Sequence, residues 1–362
     1  MAMRHKTQKT DFLNGAVWKC IVAQAIPLTV AQLVQLLYNV IDRIYLGHME
    51  GGNSLALTGV GLTFPVVTLI MAVTALFGVG GVPLFSIERG AGNDEKAGKI
   101  MGNSFALLVG SSVILTAAGY LFMRPILFAF GASEDSFVYA KAYLDIYLIG
   151  TVFTMVSTGM NGYINAQGFP RIGMYSIVLG AVCNIILDPV FIFGLRMGVA
   201  GAALATIISQ AVSFLLLLGA TRFGGNIPIT LKRNPFVFRL LPEICAGGLP
   251  SLCRQGIASI SVILLNTSAR DIAFAHASGA DAILYADAAI AGMSIVARIT
   301  MFANSALIGF GQGFQPVCGF NYGAKRYGRV REAFWFCVKL CFVVLLIVAI
   351  LGLCFAPQII GL

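Results

Sequence analysis

Gly173 to Gly194 reads GMYSIVLGAVCNIILDPVFIFG, twenty-two residues that carry one formal charge, Asp188. A run that long and that apolar is the length of a membrane-spanning helix. A carboxylate within such a span is costly to desolvate, so it is expected to face the protein interior or a water-filled cavity and to have polar partners. Asn184 lies one helical turn earlier on the same face. Pro189 follows directly; it lacks an N–H and clashes with the carbonyl of Ile185, which leaves an acceptor oxygen close to the carboxylate. A plainer reading, a Pro-kinked helix whose Asp satisfies one neighbour, stays open at this point.

The rest of the chain has the same character. Of 362 residues, 58% are hydrophobic and 11% charged, with a mean hydropathy of +0.87, well outside the range of soluble domains. The chain is therefore expected to be an all-α polytopic membrane protein. Apolar runs predict nine helices at about 20–46, 54–87, 99–123, 138–164, 172–195, 197–222, 243–268, 282–314 and 333–355. The first, preceded by the polar MAMRHKTQKTDF, is too long for a signal-peptide core and is expected to remain as a helix. The one long polar connection, rich in Gly, Pro and basic residues, divides the chain into 1–222 with six helices, a linker at 223–242, and 243–362 with three.

Charge placement gives an orientation. Of 24 Lys and Arg, sixteen fall in the N-terminal tail up to Lys19, in Arg89–Lys99, at Arg171, in Arg222–Arg239 and in Lys325–Arg331. Five fall in or near the intervening turns, so the N-terminus is expected in the cytoplasm of a plasma (inner) membrane protein. Basic residues gathered in alternate loops rather than on one face argue against nucleic-acid binding, despite a net charge of +9. The eight cysteines lie mostly in apolar runs with no CxxC pair, as packing residues do, and His5, His48 and His276 are scattered. GNDEKAGK at Gly92–Lys99 has five residues between its glycines, so it is not a phosphate-binding loop. No ATP site and no cofactor are expected, and with no GxGD, HExxH or GxSxG sequence an intramembrane enzyme is the weaker alternative.

An internal repeat supports the division. Gly78-Val79-Gly80-Gly81-Val82-Pro83, then Gly90-Ala91, recurs as Gly311-Gln312-Gly313-Phe314-Gln315-Pro316, then Gly323-Ala324, and Gly59 pairs with Gly292 at the same offset of 233. The first helix of each half opens on a similar step, Ala25-Ile26-Pro27 and Gly248-Leu249-Pro250. Parallel repeats of this kind imply two lobes about an axis along the membrane normal, with a cavity between them, as in transporters. The final segment, Phe355–Leu362, maps onto Met123–Phe130 of the first half at an offset of 232, after which the first half continues for three more helices. The chain is accordingly expected to be a truncated form that transports poorly alone, or a non-transporting remnant.

Counting residues inward from the outer turns at about 1.5 Å each places Asp42 roughly 9 Å deep, Asp188 roughly 12 Å and Thr206 roughly 15 Å. With Asn184 they offer two carboxylates, an amide oxygen and a hydroxyl, which suits a hard cation such as sodium or a shared proton. A Thr206 bonded only to its own helix is the alternative. Arg254, Gln255, Arg298 and Asn304 are candidate cavity-lining residues, Lys141 and Asp145 a helix-surface ion pair, and Lys339 a residue that snorkels.

Two stretches carry a family resemblance. NGYINAQGFPRIGMYSIVLGAVCNIILDPVFIFGLRMGVAGAALATIISQ, Asn161–Gln210, and GFGQGFQPVCGFNYGAK, Gly309–Lys325, resemble signatures of the multidrug and toxic compound extrusion (MATE) family. The resemblance implies a V-shaped bundle of two six-helix lobes, monomeric in the bilayer, that exports cationic, amphipathic drug-like molecules in exchange for Na+ or H+. It also implies a cation site at Asp42, Asn184, Asp188 and Thr206. The sequence departs from the family in having Arg254 and Gln255 where some branches carry a carboxylate in helix seven, and in ending after nine helices rather than twelve.

Overall fold

A computed structural model describes residues 11–48, 54–221, 227, 237–254, 257, 264, 268 and 280–360. All its regular structure is helical among these residues. In chain order the helices are α1 (Val17–Gly47), α2 (Ser54–Thr74), α3 (Gly80–Gly90), α4 (Asp94–Ala129), α5 (Glu134–Ile149), α6 (Thr151–Ala166), α7 (Pro170–Pro189), α8 (Val199–Thr221), α9 (241–254), α10 (Ala280–Gly323) and α11 (Tyr327–Ile360). Six described helical stretches are individually long and apolar enough to cross a membrane, or seven with α5 and α6 taken as one bent span. Much of the expected helix at 243–268 lies outside the described residues.

Two of the expected helices are interrupted by π turns, Ala75–Val79 between α2 and α3 and Val190–Gly194 after α7. Each lies against a proline, Pro83 four residues beyond Val79 and Pro189 at the last residue of α7. The missing N–H shifts the hydrogen-bond ladder, and the helix absorbs the defect by widening rather than breaking. The helix expected at 138–164 is instead a pair, α5 and α6, bent by 58° at Gly150. A Cβ on Gly150 would lie 2.3 Å from the Ile207 side chain of α8, so the bend lets α8 press against the corner. Hydroxyls mend the broken ladder: Thr151 donates to the Tyr147 carbonyl at 3.2 Å. At the same end of the bundle Lys141 pairs with Asp145, Nζ to Oδ2 at 2.5 Å, as expected of that spacing. At the other end of the chain α10 runs on through Pro316 to Gly323, past the expected stop near 314, so the whole second glycine motif is helical.

The sequence repeat becomes a symmetry of packing. A Cβ on Gly80 would lie 2.4 Å from the Ile244 carbonyl of α9, and one on Gly313 2.5 Å from Cα of Ala25 on α1. A Cβ on Gly90 would meet the Phe320 carbonyl at 2.0 Å, and one on Gly323 the Ile87 carbonyl at 1.9 Å. Phe320 is Ile87 displaced by the same offset as Gly323 from Gly90, so each half donates the same glycine to the same place on the other. Small residues at these crossings let backbones touch, which is how helices associate where lipid gives no hydrophobic drive.

A short strap crosses between the halves ahead of α1. The carbonyl of Phe12 accepts from Asn321 and Arg329, that of Gly15 from Arg329 at 2.9 Å, and that of Leu13 from Arg326 at 2.9 Å. Phe12 is buried against the ring of Phe320, and the Cys20 thiol donates to the Asp11 carbonyl. The corresponding segment ahead of α9 crosses the other way: Val237 exchanges two hydrogen bonds with the side chain of Asn103 on α4, each 2.8 Å.

Candidate functional site

Three helices assemble a polar cluster within the apolar bundle. Asp188 and Asn184 point inward from the last two turns of α7 and are fully buried, as is Thr206 on α8. Asn184 donates from Nδ2 to Oδ1 of Asp188 at 3.3 Å and to Oγ1 of Thr206 at 3.4 Å. Thr206 also donates to the Ala202 carbonyl of its own helix at 3.0 Å, so its back-bond and its bond to the cluster coexist. From α1, Asp42 places its carboxyl group beside that of Asp188. The four residues named from depth and polarity therefore meet in one pocket.

Two carboxyl groups side by side repel when both are ionised, so the pair needs a proton between them or a cation beside them. Three buried oxygens of this cluster, Asp42 Oδ1, Asn184 Oδ1 and Asp188 Oδ2, have no hydrogen-bond partner among the described residues. An unpaired buried acceptor costs about 1–3 kcal/mol, and more when it carries charge. Oxygens of this hardness, converging from two helices, have the chemistry of a site for a sodium ion or a proton. They form no group of three or more His, Cys, Asp or Glu among the described residues, which is the pattern transition metals require.

Sequence reasoning missed the aromatic side of the pocket. Tyr38 lies one turn before Asp42 on the same face of α1, and it lines the cavity wall together with Asn184 and Thr206. Tyr143 and Tyr147 of α5 are buried and stacked, with ring centroids 5.7 Å apart, beside the same carboxyl groups. The spacing from Tyr38 to Asp42 is visible in the sequence; nothing there brings α5 to this place.

A cavity of about 520 Å³ opens next to the cluster, between α1, α6, α7 and α8 on one side and α10 on the other. Tyr38, Asn184 and Thr206 belong to both the cavity wall and the carboxyl pocket. Across it, Gln32 of α1 donates to Gln312 of α10 at 3.2 Å. Arg254 and Asn304 are solvent- or lipid-exposed and take no part in the described wall. Gln255 and the side chain of Arg298 lie outside the described residues.

A family model described as MatE matches residues 27–190 and 281–362. The multidrug export protein MepA of Staphylococcus haemolyticus (strain JCSC1435) is 25% identical over 316 residues, which are 87% of this chain and 67% of that protein. MepA of Staphylococcus aureus (strain N315) is 24% identical over 322 residues, 89% of this chain and 68% of its own length. Among solved structures, a MATE crystal structure in complex with MaD5 superposes with a TM-score of 0.86 at 29% identity, covering 97% of this chain and 77% of that one. An outward-facing multidrug resistance MATE family transporter of the MOP superfamily gives 0.84 at 29% identity, covering 97% and 75%.

Proposed function

Because the chain belongs to the MatE family, we propose that it is a secondary antiporter, exporting amphipathic drug-like molecules in exchange for a sodium ion or a proton held at Asp42, Asn184, Asp188 and Thr206. The observation that carries this reading is the wall shared by the two sites: Asn184 donates to Asp188 and to Thr206, and with Thr206 and Tyr38 it lines the cavity. Whatever neutralises the carboxyl pair changes the hydrogen bonds available on that wall, and a molecule lodged in the cavity changes those available to the pair. This is the differential affinity that exchange transport needs, since a ligand shifts a conformational equilibrium only by the difference in its affinity for the two states. In this reading the two lobes, 1–222 and 243–362, rock about the glycine crossings with the linker 223–242 between them, and the chain works as a monomer in an inner membrane with a cytoplasmic N-terminus. An ion gradient, with no ATP and no cofactor, drives it.

The cargo implied by the family resemblance is cationic. A buried cation is held by carboxylates or by aromatic faces. Here the carboxyl pair lies behind the shared wall and Tyr38 is the one ring on the described cavity surface.

Efflux of a fluorescent substrate from proteoliposomes, with a sodium or a pH gradient imposed in turn, tests the proposal. One of the two gradients should drive export and the other should not. Export that follows neither gradient, or that requires ATP, would refute it.

A further inference from the structure

The strap Asp11–Gly15 and the cavity lie on opposite sides of a tight seam. Along α10 the described cavity wall ends at Pro316, and the strap is anchored at Asn321. Between the two, α3 and α10 touch closely: Ser86 is fully buried against Gly319, Gly90 meets Phe320 and Gly323 meets Ile87. The strap leads into α1, yet its carbonyls bond to the other half. Asn321 and Arg329 hold that of Phe12, Arg326 that of Leu13 and Arg329 that of Gly15. Phe12, Val17 and Ile21 also form one buried cluster with Val317 and Ala333. Beside the Phe12 ring lies a second cavity, of about 330 Å³, bounded by Arg89, Gln167 and Phe320, so the space behind the strap is hollow rather than packed solid. Gly15, just before α1, has φ +82°, a turn about which the strap can swing without unwinding the helix.

We propose that the strap is a latch: its bonds to Asn321, Arg326 and Arg329 hold this end of the seam shut, and they are released when the cavity opens toward the strap. The inference rests on the proposed exchange cycle and names the contact that gates its second opening. To load cargo from the strap side, cytoplasmic in the proposed orientation, the cavity must open through the seam between α3 and α10. That movement separates the strap from its anchors, because they belong to different halves. Contacts made in one state and broken in the other bias the equilibrium toward the first by their own free energy. A strap bonded to its own half would be carried along intact and bias nothing. Its carbonyls exchange Arg and Asn donors for water at modest net cost, so release is reversible, and the buried Phe12 ring supplies the larger share of the hold.

The test reads opening on each side of the seam with a water-soluble maleimide on the full chain in lipid nanodiscs. Ser86→Cys places a thiol within the seam and Thr158→Cys one on the exposed part of the cavity wall, each followed on its own peptide. Phe12→Ala or Arg329→Ala is expected to speed labelling at position 86 at least tenfold and to slow it at position 158, because the population moves from one opening to the other. Arg329→Lys, which can keep one bond, should fall between. Arg329→Ala carries the test should Phe12→Ala fold poorly, as judged by its elution and helicity. A rate at position 86 that neither variant changes would overturn the latch, and so would faster labelling at both positions, which is the mark of general loosening. Gradient-driven efflux by the parental chain, measured alongside, separates the two readings. Opposite shifts at 86 and 158 without such efflux would keep the latch and remove the exchange reading, whereas efflux with position 86 unmoved would do the reverse.

Discussion

Asp42 on α1 and Asp188 on α7 place their carboxyl groups beside each other, although they belong to the first and fifth of the predicted spans. Under the proposed function the two acids act as one unit, and a shared proton or a bound cation offsets the cost of holding them together. Asp188→Asn keeps the size of the side chain and removes its capacity for negative charge. It is expected to leave expression and helicity unchanged and to reduce ion-driven efflux to background. Gradient-dependent efflux at the parental rate would remove Asp188 from the coupling site.

Tyr38 tests the shared wall more gently. Tyr38→Phe keeps the ring and removes a hydroxyl from the wall that Tyr38 shares with Asn184 and Thr206. One hydrogen bond to the occupied site contributes about 0.5–1.5 kcal/mol net, so the affinity for the coupling ion should fall about 2- to 12-fold. Titration of the coupling ion against substrate displacement measures it. A shift in ion affinity with no change in substrate release would mean that the wall does not connect the two sites.

The paired glycines should fail in pairs. Gly90 and Gly323 each approach a carbonyl of the opposite helix too closely to admit a Cβ. Gly90→Val and Gly323→Val should each overpack the same seam from opposite sides and lower stability by about 1–3 kcal/mol. Thermal unfolding in detergent should show comparable shifts for both. A large loss from one and none from the other would contradict the symmetric crossing.

The strap ahead of α1 can be released without touching the membrane core. Arg329→Ala removes bonds to Phe12 and Gly15 and should raise the rate at which a maleimide modifies Cys20, which is buried beneath the strap. The strap also has a predicted response to acid. The amide of Asn14 and the backbone N–H of Leu13 hold the Asp11 carboxyl below its ordinary value of 3.8. A lowered folded-state value means that this contribution is present above the unfolded pKa and is lost as pH falls through the folded one. Cys20 labelling, taken relative to that of a free thiol at the same pH, should therefore be flat down to about pH 4 and rise only below it. A rise near neutral pH would show that another group governs the strap.

The sequence by itself determined the all-helical membrane character and the acids within the apolar runs. Hydropathy is a property of each run of residues, and a charge within such a run is visible wherever the chain folds. The GVGGVP and GQGFQP motifs announced the pairing of halves, because a repeat of spacing imposes a repeat of packing. Gly150 held no such signal: its place at the bend between α5 and α6 shows only when Ile207 of α8 is seen packed against that corner. Tertiary structure likewise decided that Tyr38 of α1 meets Thr206 of α8 on one wall and that carboxamides from α1, α6 and α10 line the same cavity. An Asn or Gln in a hydrophobic helix is compatible with a lipid-sheltered bond to its own backbone or with a ligand site. Which of these it becomes depends on what faces it from another helix, and that is fixed by helix packing rather than by local sequence.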